Sequence, residues 1–249
     1  MAVGIICAIP EEIALLEQDI RSEQDTVIAG RRFIQGILYG KEVVLVMSRI
    51  GKVAVAVTTT LLIEHFGVNQ IIFGGTAGAV DPSLKVGDVV IADRSVQHDF
   101  SVDETDTFRI PLIDISYFQS DPLLTLQADQ AAREYIQNEM HGDIPQEHLT
   151  KFGIQEPRVV TGTIASGDQF ICDPQKNAWL YSKVDNIKCV EMEGAAMAQV
   201  CYEYQIPFTI IRVMSDCADN EASFSFDEFV KGAAQYFTRG SIRSLLSKM

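Results

Sequence analysis

Within residues 187–198, IKCVEMEGAAMA, two carboxylates, Glu191 and Glu193, interrupt an otherwise apolar stretch. If a strand runs through both, side chains at i and i+2 point to one face. Burying one carboxylate without a partner is costly, and burying two side by side costs more. Such a pair is expected where something is bound. Other acids sit at comparable places: Glu11 and Glu12 after VGIICAI, Asp168 after RVVTGTIAS, and Asp216 after FTIIRVMS. Carboxylates accept hydrogen bonds from sugar hydroxyls, bidentately from a vicinal diol. They also stabilise an oxocarbenium-like transition state and supply acid and base for glycosidic cleavage. A site lined by acids and short of fixed cations therefore suits a ligand rich in hydroxyls and ring nitrogens, a glycoside or a nucleoside.

Taken singly, several of these acids have plainer roles. Glu11 and Glu12 could decorate a helix N-terminus, Asp216 could cap a turn, and Asp168 could serve a Ser-Gly-Asp turn. Glu191 and Glu193 resist that explanation, because the flanking apolar residues leave little room for a solvated face. The segment GGTAGAV is not a GxGxxG fingerprint, and no acid follows at the spacing a dinucleotide ribose needs. Its glycines do permit close approach of backbone amides to a ligand. No Walker A sequence, GxSxG elbow or basic cluster is present.

The elements that must position these acids are read from periodicity and punctuation. VGIICAI is a strand-length apolar run, and PEEIALLEQDI follows with Pro at the first helical position and acids in the first turn. RRFIQGILYGKEVVLVMS predicts two strands joined at Tyr39-Gly40-Lys41. KVAVAVTTTLLIEHF is rich in β-branched residues, but its length without a breaker predicts a helix. QIIFGGTAGAV reads as a buried strand ending in a glycine-rich turn, and LKVGDVVIADR as a turn and strand. Residues 98–119 read as a long loop. Asp121-Pro122 and Asp173-Pro174 start helices, with the polar connection HGDIPQEHLTKFGIQEP after the first. RVVTGTIASGD and PFTIIRVMSD are strands, and the final 25 residues form a helix with Ser225 and Glu228 spaced as a capping box. Strands alternating with helices imply a sheet covered on both faces, and its ligands are expected at the strands' carboxyl ends. Of the five strand ends so identified, four carry a carboxylate.

Composition narrows the partners. The 249 residues are 47% hydrophobic, enough for one sizeable domain spanning 1–249, with no linker or repeat. A net charge of −14, from 34 acids and 20 bases, argues against nucleic acid and anionic membrane surfaces. Five scattered cysteines without a CxxC read as reduced, buried thiols. The four histidines form no metal-binding pattern, and neither a metal nor a cofactor is expected. No basic leader or long apolar span is seen, so a cytoplasmic protein is expected.

Five motifs in one order carry a resemblance: GIICAIPEEIALL, GTAGAV, IASGDQFI, VEMEGAAMA, and RVMSDCADN followed by SFDEF. Over about residues 3–246 the chain resembles the 5′-methylthioadenosine/S-adenosylhomocysteine nucleosidases of the nucleoside phosphorylase/hydrolase superfamily. The resemblance implies an α/β protein, a three-layer α/β/α domain with a central mixed sheet. It implies Asp216 as general acid on adenine N7, oriented by Ser215, and Glu12 as the base activating water. Phe170 would stack on adenine, with the Ile171 backbone at the base edge. Met192 and Glu193 would bind ribose, with Arg212 keeping Glu193 ionised and Glu191 supporting the site. Thr76, where many relatives have Ser, would contact substrate together with Ala77 and Gly78. Ile50 and Phe226 would line the 5′-alkylthio pocket.

The resemblance also implies a homodimer, with loop 99–119 near the neighbouring active site and Val102 matching a contact there. Pro10 stands where relatives carry an acid, and the rest of loop 99–119 departs from the family pattern. Hydrolysis of the N-glycosidic bond is the expected activity, by a dissociative route. The rivals are an aminodeoxyfutalosine hydrolase, a phosphorolytic purine nucleoside phosphorylase and a non-catalytic nucleoside-binding protein. Pro-Glu-Glu after the first strand would repel phosphate, and retention of Glu12 and Asp216 argues against a mere binder.

Overall fold

The computed structural model describes residues 2–102, 108–216 and 222–249, the last stretch with side chains from Phe226 onward. The chain opens with β1 (Val3–Cys7), α1 (Pro10–Asp19), β2 (Arg21–Ile28), β3 (Arg31–Leu38), β4 (Lys41–Met47), α2 (Lys52–Glu64) and β5 (Gln70–Ala79). The middle holds β6 (Val89–Gln97), β7 (Tyr117–Gln119), α3 (Pro122–Asn138), the short α4 (Met140–Asp143) and α5 (Gln146–Lys151), and β8 (Val159–Ser166). Then come α6 (Pro174–Lys183), β9 (Ile187–Glu191), α7 (Gly194–Tyr204) and β10 (Phe208–Asp216). The last helical run joins α8 (Ala222–Phe229) through a π-helical turn, Val230–Ala234, to α9 (Gln235–Lys248).

Local chemistry explains most of these bounds. Tyr39 and Gly40 both take positive φ, 48° and 84°, and Leu38 pairs with Lys41, which makes the β3–β4 connection a two-residue hairpin turn. In α2 the hydroxyls of Thr58, Thr59 and Thr60 donate to carbonyls four residues back at 2.8–2.9 Å, so three β-branched polar residues are accommodated in a helix. Asp121 accepts from the amides of Leu123 and Leu124, and Asp173 from that of Gln175, as the Asp-Pro starts predicted.

The strands form one mixed sheet. β2, β3 and β4 run antiparallel in turn, and β4, β1 and β5 are parallel. β5 then pairs in parallel with β10, which pairs antiparallel with β6; β6, β8 and β9 are parallel, and β9 returns to β5 through Gly78↔Val190 and Ala79↔Cys189. Five strands thus close into a ring. One edge of β5 is shared by β1, up to Phe73, and by β9, from Gly78. Residues 74–77 between them have no strand partner on that edge.

Both faces are covered. Ile5, Leu45 and Val213 point into a core with α1, α3 and α9, while their neighbours Ile6, Val46 and Met214 point into a second core with α2 and α7. That alternation with apolar residues on both sides makes the central strands read as unbroken hydrophobic runs. No helix among the described residues is long and apolar enough to cross a membrane.

Four readings are corrected, and one strand, β2, had none in the sequence. GGTAGA is not a turn but the second half of β5. Its glycines allow close packing: a Cβ on Gly74 would sit 2.9 Å from Thr238, and one on Gly75 would sit 2.8 Å from Glu12. Segment 21–28 is an edge strand whose residues are mostly exposed, which is why it shows no buried face in the sequence. Loop 98–119 contains β7, paired with β6, and a bridge between Ile110 and Ile115; residues 103–107 of it lie outside the described residues. The polar connection forms α4 and α5, and α8 starts at Ala222, which places Ser225 inside the helix and not at its start.

Candidate active site

A cavity opens at the carboxyl ends of β1, β5, β9 and β10. Of the residues singled out in the sequence, Glu12, Ile50, Thr76, Ala77, Gly78, Phe170, Ile171, Glu191, Met192, Glu193, Ser215, Asp216 and Phe226 line it. Arg212 and Val102 do not. Arg212 is buried behind Glu191, and Val102 is 66% exposed, away from the cavity. Ala8, Ile9, Gln169 and Val190 also line it and were not anticipated. Each is a chain neighbour of a strand end already identified, which is the only signal the sequence offered.

Glu12 enters from the first turn of α1, which Pro10 starts. Its Oε2 accepts from the Ala8 amide at 3.0 Å, and its Oε1 from the Thr76 amide at 2.8 Å and the Thr76 hydroxyl at 2.9 Å. The Thr76 amide is free to do so because that stretch of β5 faces the gap between β1 and β9. An ionised carboxylate has about four lone-pair positions, so three are held by protein and one is left for the cavity. Burial pushes the Glu12 carboxyl above its ordinary value, against the opposing influence of Arg212 and the Thr76 and Ala8 donors.

The two acids that opened the sequence argument are separated by the fold. β9 ends at Glu191, and Glu193 is the N-cap residue of α7, at φ −135° and ψ −41°. The expectation of one strand face is therefore corrected: the chain turns between them. Glu191 is consumed by protein. It accepts from Arg212 Nη2 at 2.6 Å, from the Gly194 amide on both oxygens, from the Glu193 amide at 3.2 Å and from the Ser166 hydroxyl. Arg212 also lies over the Phe73 ring, 4.0 Å from its centroid. Arg212, expected near Glu193 to keep it ionised, makes its ion pair with Glu191 and acts on Glu193 by its charge alone.

Glu193 keeps its acceptors open. Its Oε1 takes the Gly51 amide at 2.7 Å, and the rest of the carboxylate is available to a ligand. Burial, then the neighbouring Glu191 charge, lifts it to about 8, against the Gly51 amide and Arg212. Across the cavity the Ser215 hydroxyl lies 2.7 Å from Asp216 Oδ2 and 3.3 Å from the Ala77 carbonyl. Phe170, 44% exposed, meets Phe226 edge-on with ring centroids 5.7 Å apart, forming an aromatic wall at the mouth. No Lys or Arg lines the cavity among the described residues.

The arrangement offers one carboxylate with a free position, one with open acceptors, one beside a hydroxyl, and an aromatic wall. Comparison with known proteins is consistent with that chemistry. Residues 2–246 match the family model described as the Phosphorylase superfamily. The chain is 39% identical over 237 residues to a 5′-methylthioadenosine/S-adenosylhomocysteine nucleosidase of Listeria monocytogenes serotype 4b, covering 94% of each chain. The Neisseria meningitidis nucleosidase of the same name, solved with methylthio-immucillin-A, superposes with a TM-score of 0.87 at 33% identity, covering 100% of this chain and 99% of that one. The futalosine hydrolase of Helicobacter pylori superposes at 0.82 with 31% identity, covering 100% and 98%. The chain therefore belongs to the 5′-methylthioadenosine/S-adenosylhomocysteine nucleosidase family of the phosphorylase superfamily, a family of N-glycosyl hydrolases.

Proposed function

We propose that this N-glycosyl hydrolase cleaves 5′-methylthioadenosine and S-adenosylhomocysteine to adenine and the corresponding thioribose. The observation that carries the reading is the set of separately held carboxylates, Glu12, Glu193 and Asp216, around a cavity with an aromatic wall and no lining cation. Adenine packs against Phe170 with its edge on the Ile171 backbone. Asp216 gives its proton to N7 as the glycosidic bond lengthens. When Asp216 carries the proton, the Ser215 hydroxyl is free to turn to the Ala77 carbonyl; when the proton has left, it donates to the new carboxylate. Glu193 accepts from the ribose hydroxyls, beside Met192. Positive charge then builds on the sugar, and Glu12 takes a proton from the water that captures it. Its raised pKa makes it the stronger base for that step. Glu191, on the cavity wall, and Arg212 behind it hold the sugar side in place.

Ile50 and Phe226 flank the 5′ substituent. Along with Ile50, 58% exposed, Val53 and Val57 leave an apolar flank on α2, and we assign it to a second copy of the chain. Its test is the mass of the particle in solution by light scattering, where a monomer at micromolar concentration would remove the assignment. The likeness to a futalosine hydrolase supports a second reading, aminodeoxyfutalosine as an additional substrate.

Chromatography of the products decides among these. Purified protein is incubated with 5′-methylthioadenosine, with and without phosphate, and in parallel with aminodeoxyfutalosine. Free methylthioribose and adenine in both phosphate conditions are expected. A sugar 1-phosphate formed only with phosphate would establish phosphorolysis and remove the role given to Glu12.

A further inference from the structure

Asp99 lies just beyond the end of β6 and does not line the cavity. It nevertheless joins the two segments that do. Its Oδ1 accepts from Lys52 Nζ at 2.6 Å, and its Oδ2 from the Asp168 amide at 2.8 Å. Asp168 Oδ1 in turn accepts from the Lys52 amide at 2.8 Å. The three residues form a closed triangle of hydrogen bonds across chain segments far apart in sequence.

Each corner is placed at some cost to ordinary preferences. Gly51, the N-cap of α2, has no side chain to satisfy the helix's first amides, and Asp168 supplies that oxygen from another segment. Lys52 puts a cation at a helix N-terminus, where the dipole disfavours it, so the helix gains nothing from it. Asp99 compensates it, with both side chains mostly buried. Gly167 lets the turn before Asp168 lie flat on this corner, since a Cβ there would sit 2.5 Å from the His98 ring and 3.0 Å from Asp99 Cγ. Burial raises the Asp99 carboxyl, but Lys52 and the Asp168 amide outweigh it and leave Asp99 below its ordinary value. Asp99 therefore stays charged through the range in which Glu193 titrates.

Resting on the nucleosidase reading above, we propose that Asp99 is a positioning residue for the reaction. Through Lys52 it fixes the Gly51 amide on Glu193, and through the Asp168 amide it fixes the Gln169–Ile171 strip that holds the base. The sugar acceptor and the aromatic wall thus share one clamp, and the separation between them is set by Asp99.

The test compares wild type with Asp99→Asn and Lys52→Gln in steady-state hydrolysis of 5′-methylthioadenosine across pH, alongside thermal melting. Loosening the clamp should lower kcat/KM by about 10- to 100-fold, chiefly through KM. Weakening the Gly51 bond removes a donor that favours ionised Glu193, so the acidic limb of kcat/KM should move up by about half to one pH unit. Asp99→Glu, which keeps the charge, should restore part of both. A wild type that releases no adenine would sink the nucleosidase reading and this proposal with it. An active wild type matched by both variants in KM and in the acidic limb would overturn the proposal alone. Variants that lose melting temperature or kcat but keep KM and the limb would assign the triangle to stability, which also overturns it. Should Asp99→Asn fail to fold, Lys52→Gln decides by the same readouts, and failure of both to fold is the stability outcome.

Discussion

Arg212 and Glu191 form a buried ion pair, Nη2 to Oε2 at 2.6 Å, with side chains only 2% and 3% exposed. Removing one partner leaves the other charged and buried. Glu191→Gln or Arg212→Met should each cost about 3–5 kcal/mol in urea unfolding. The double variant should cost less than the sum. Arg212 also lowers the pKa values of Glu12 and Glu193, so Arg212→Met should shift the acidic limb of kcat/KM upward. Additive losses in the double variant would show that the two side chains are not coupled.

Glu12→Gln removes the proposed base while keeping a carbonyl to accept from the Thr76 amide. We expect kcat to fall by about 10²–10⁴-fold with KM little changed, read by adenine release. A comparable rise in KM would mean that Glu12 binds substrate and does not activate water.

Glu193 rises from 4.5 to about 8 on folding. Because the folded value is the higher one, the stability this group contributes is complete below about 4.5 and is lost as pH rises through about 8. A ribose diol donates hydrogen bonds and favours the carboxylate, so ligand binding near pH 7 should expel a proton from Glu193. Titration calorimetry of a non-hydrolysable analogue, repeated in buffers of different ionisation enthalpy, measures that proton. Wild type should release more than Glu193→Gln; equal values for the two would exclude Glu193 as the diol acceptor.

Two glycines separate chemistry from stability. An alanine methyl at position 75 would lie 2.8 Å from Glu12 Oε1 and must displace the carboxylate. Gly75→Ala should lose about 10²-fold in kcat/KM. At position 240 the methyl would overlap the Tyr135 ring, where α9 crosses α3. Gly240→Ala should cost about 1–3 kcal/mol of stability and leave KM unchanged. The pair is read by kinetics and chemical denaturation together, and a KM change in Gly240→Ala would contradict the separation.

The central strands and helices were legible because strand faces and helix stripes there are buried on both sides and the Asp-Pro starts are explicit. β2 was not, since an exposed edge strand carries no hydrophobic alternation. The second half of β5 was misread because glycine serves turns and close packing alike, and only the positions of Glu12 and Thr238 distinguish them. Thirteen of the fifteen anticipated site residues line the cavity, a result owed to strand ends and motif order. What the sequence hid was partnership. Arg212 reaches Glu191, not Glu193, because the chain turns at Met192, and no periodicity announces that turn. Asp99 was invisible for the same reason: its value lies in bonds to residues 52 and 168, which only the assembled fold brings near.

The ring formed by β5, β10, β6, β8 and β9 has a consequence for how the protein comes into being. β5 is complete by residue 79, yet its long partner β10 spans residues 208–216. A chain emerging from its amino end must therefore hold β5 and β6 unpaired with β10 until nearly the whole sequence is available. Pairings of such separation close slowly, and the waiting strand edges invite association with other chains. The same β10 carries Ser215 and Asp216, so the proposed proton donor arrives with the strand that closes the ring. On the proposed role of Asp216, a nascent fragment that stops short of β10 lacks the donor, and catalytic competence and topological closure await the same late strand.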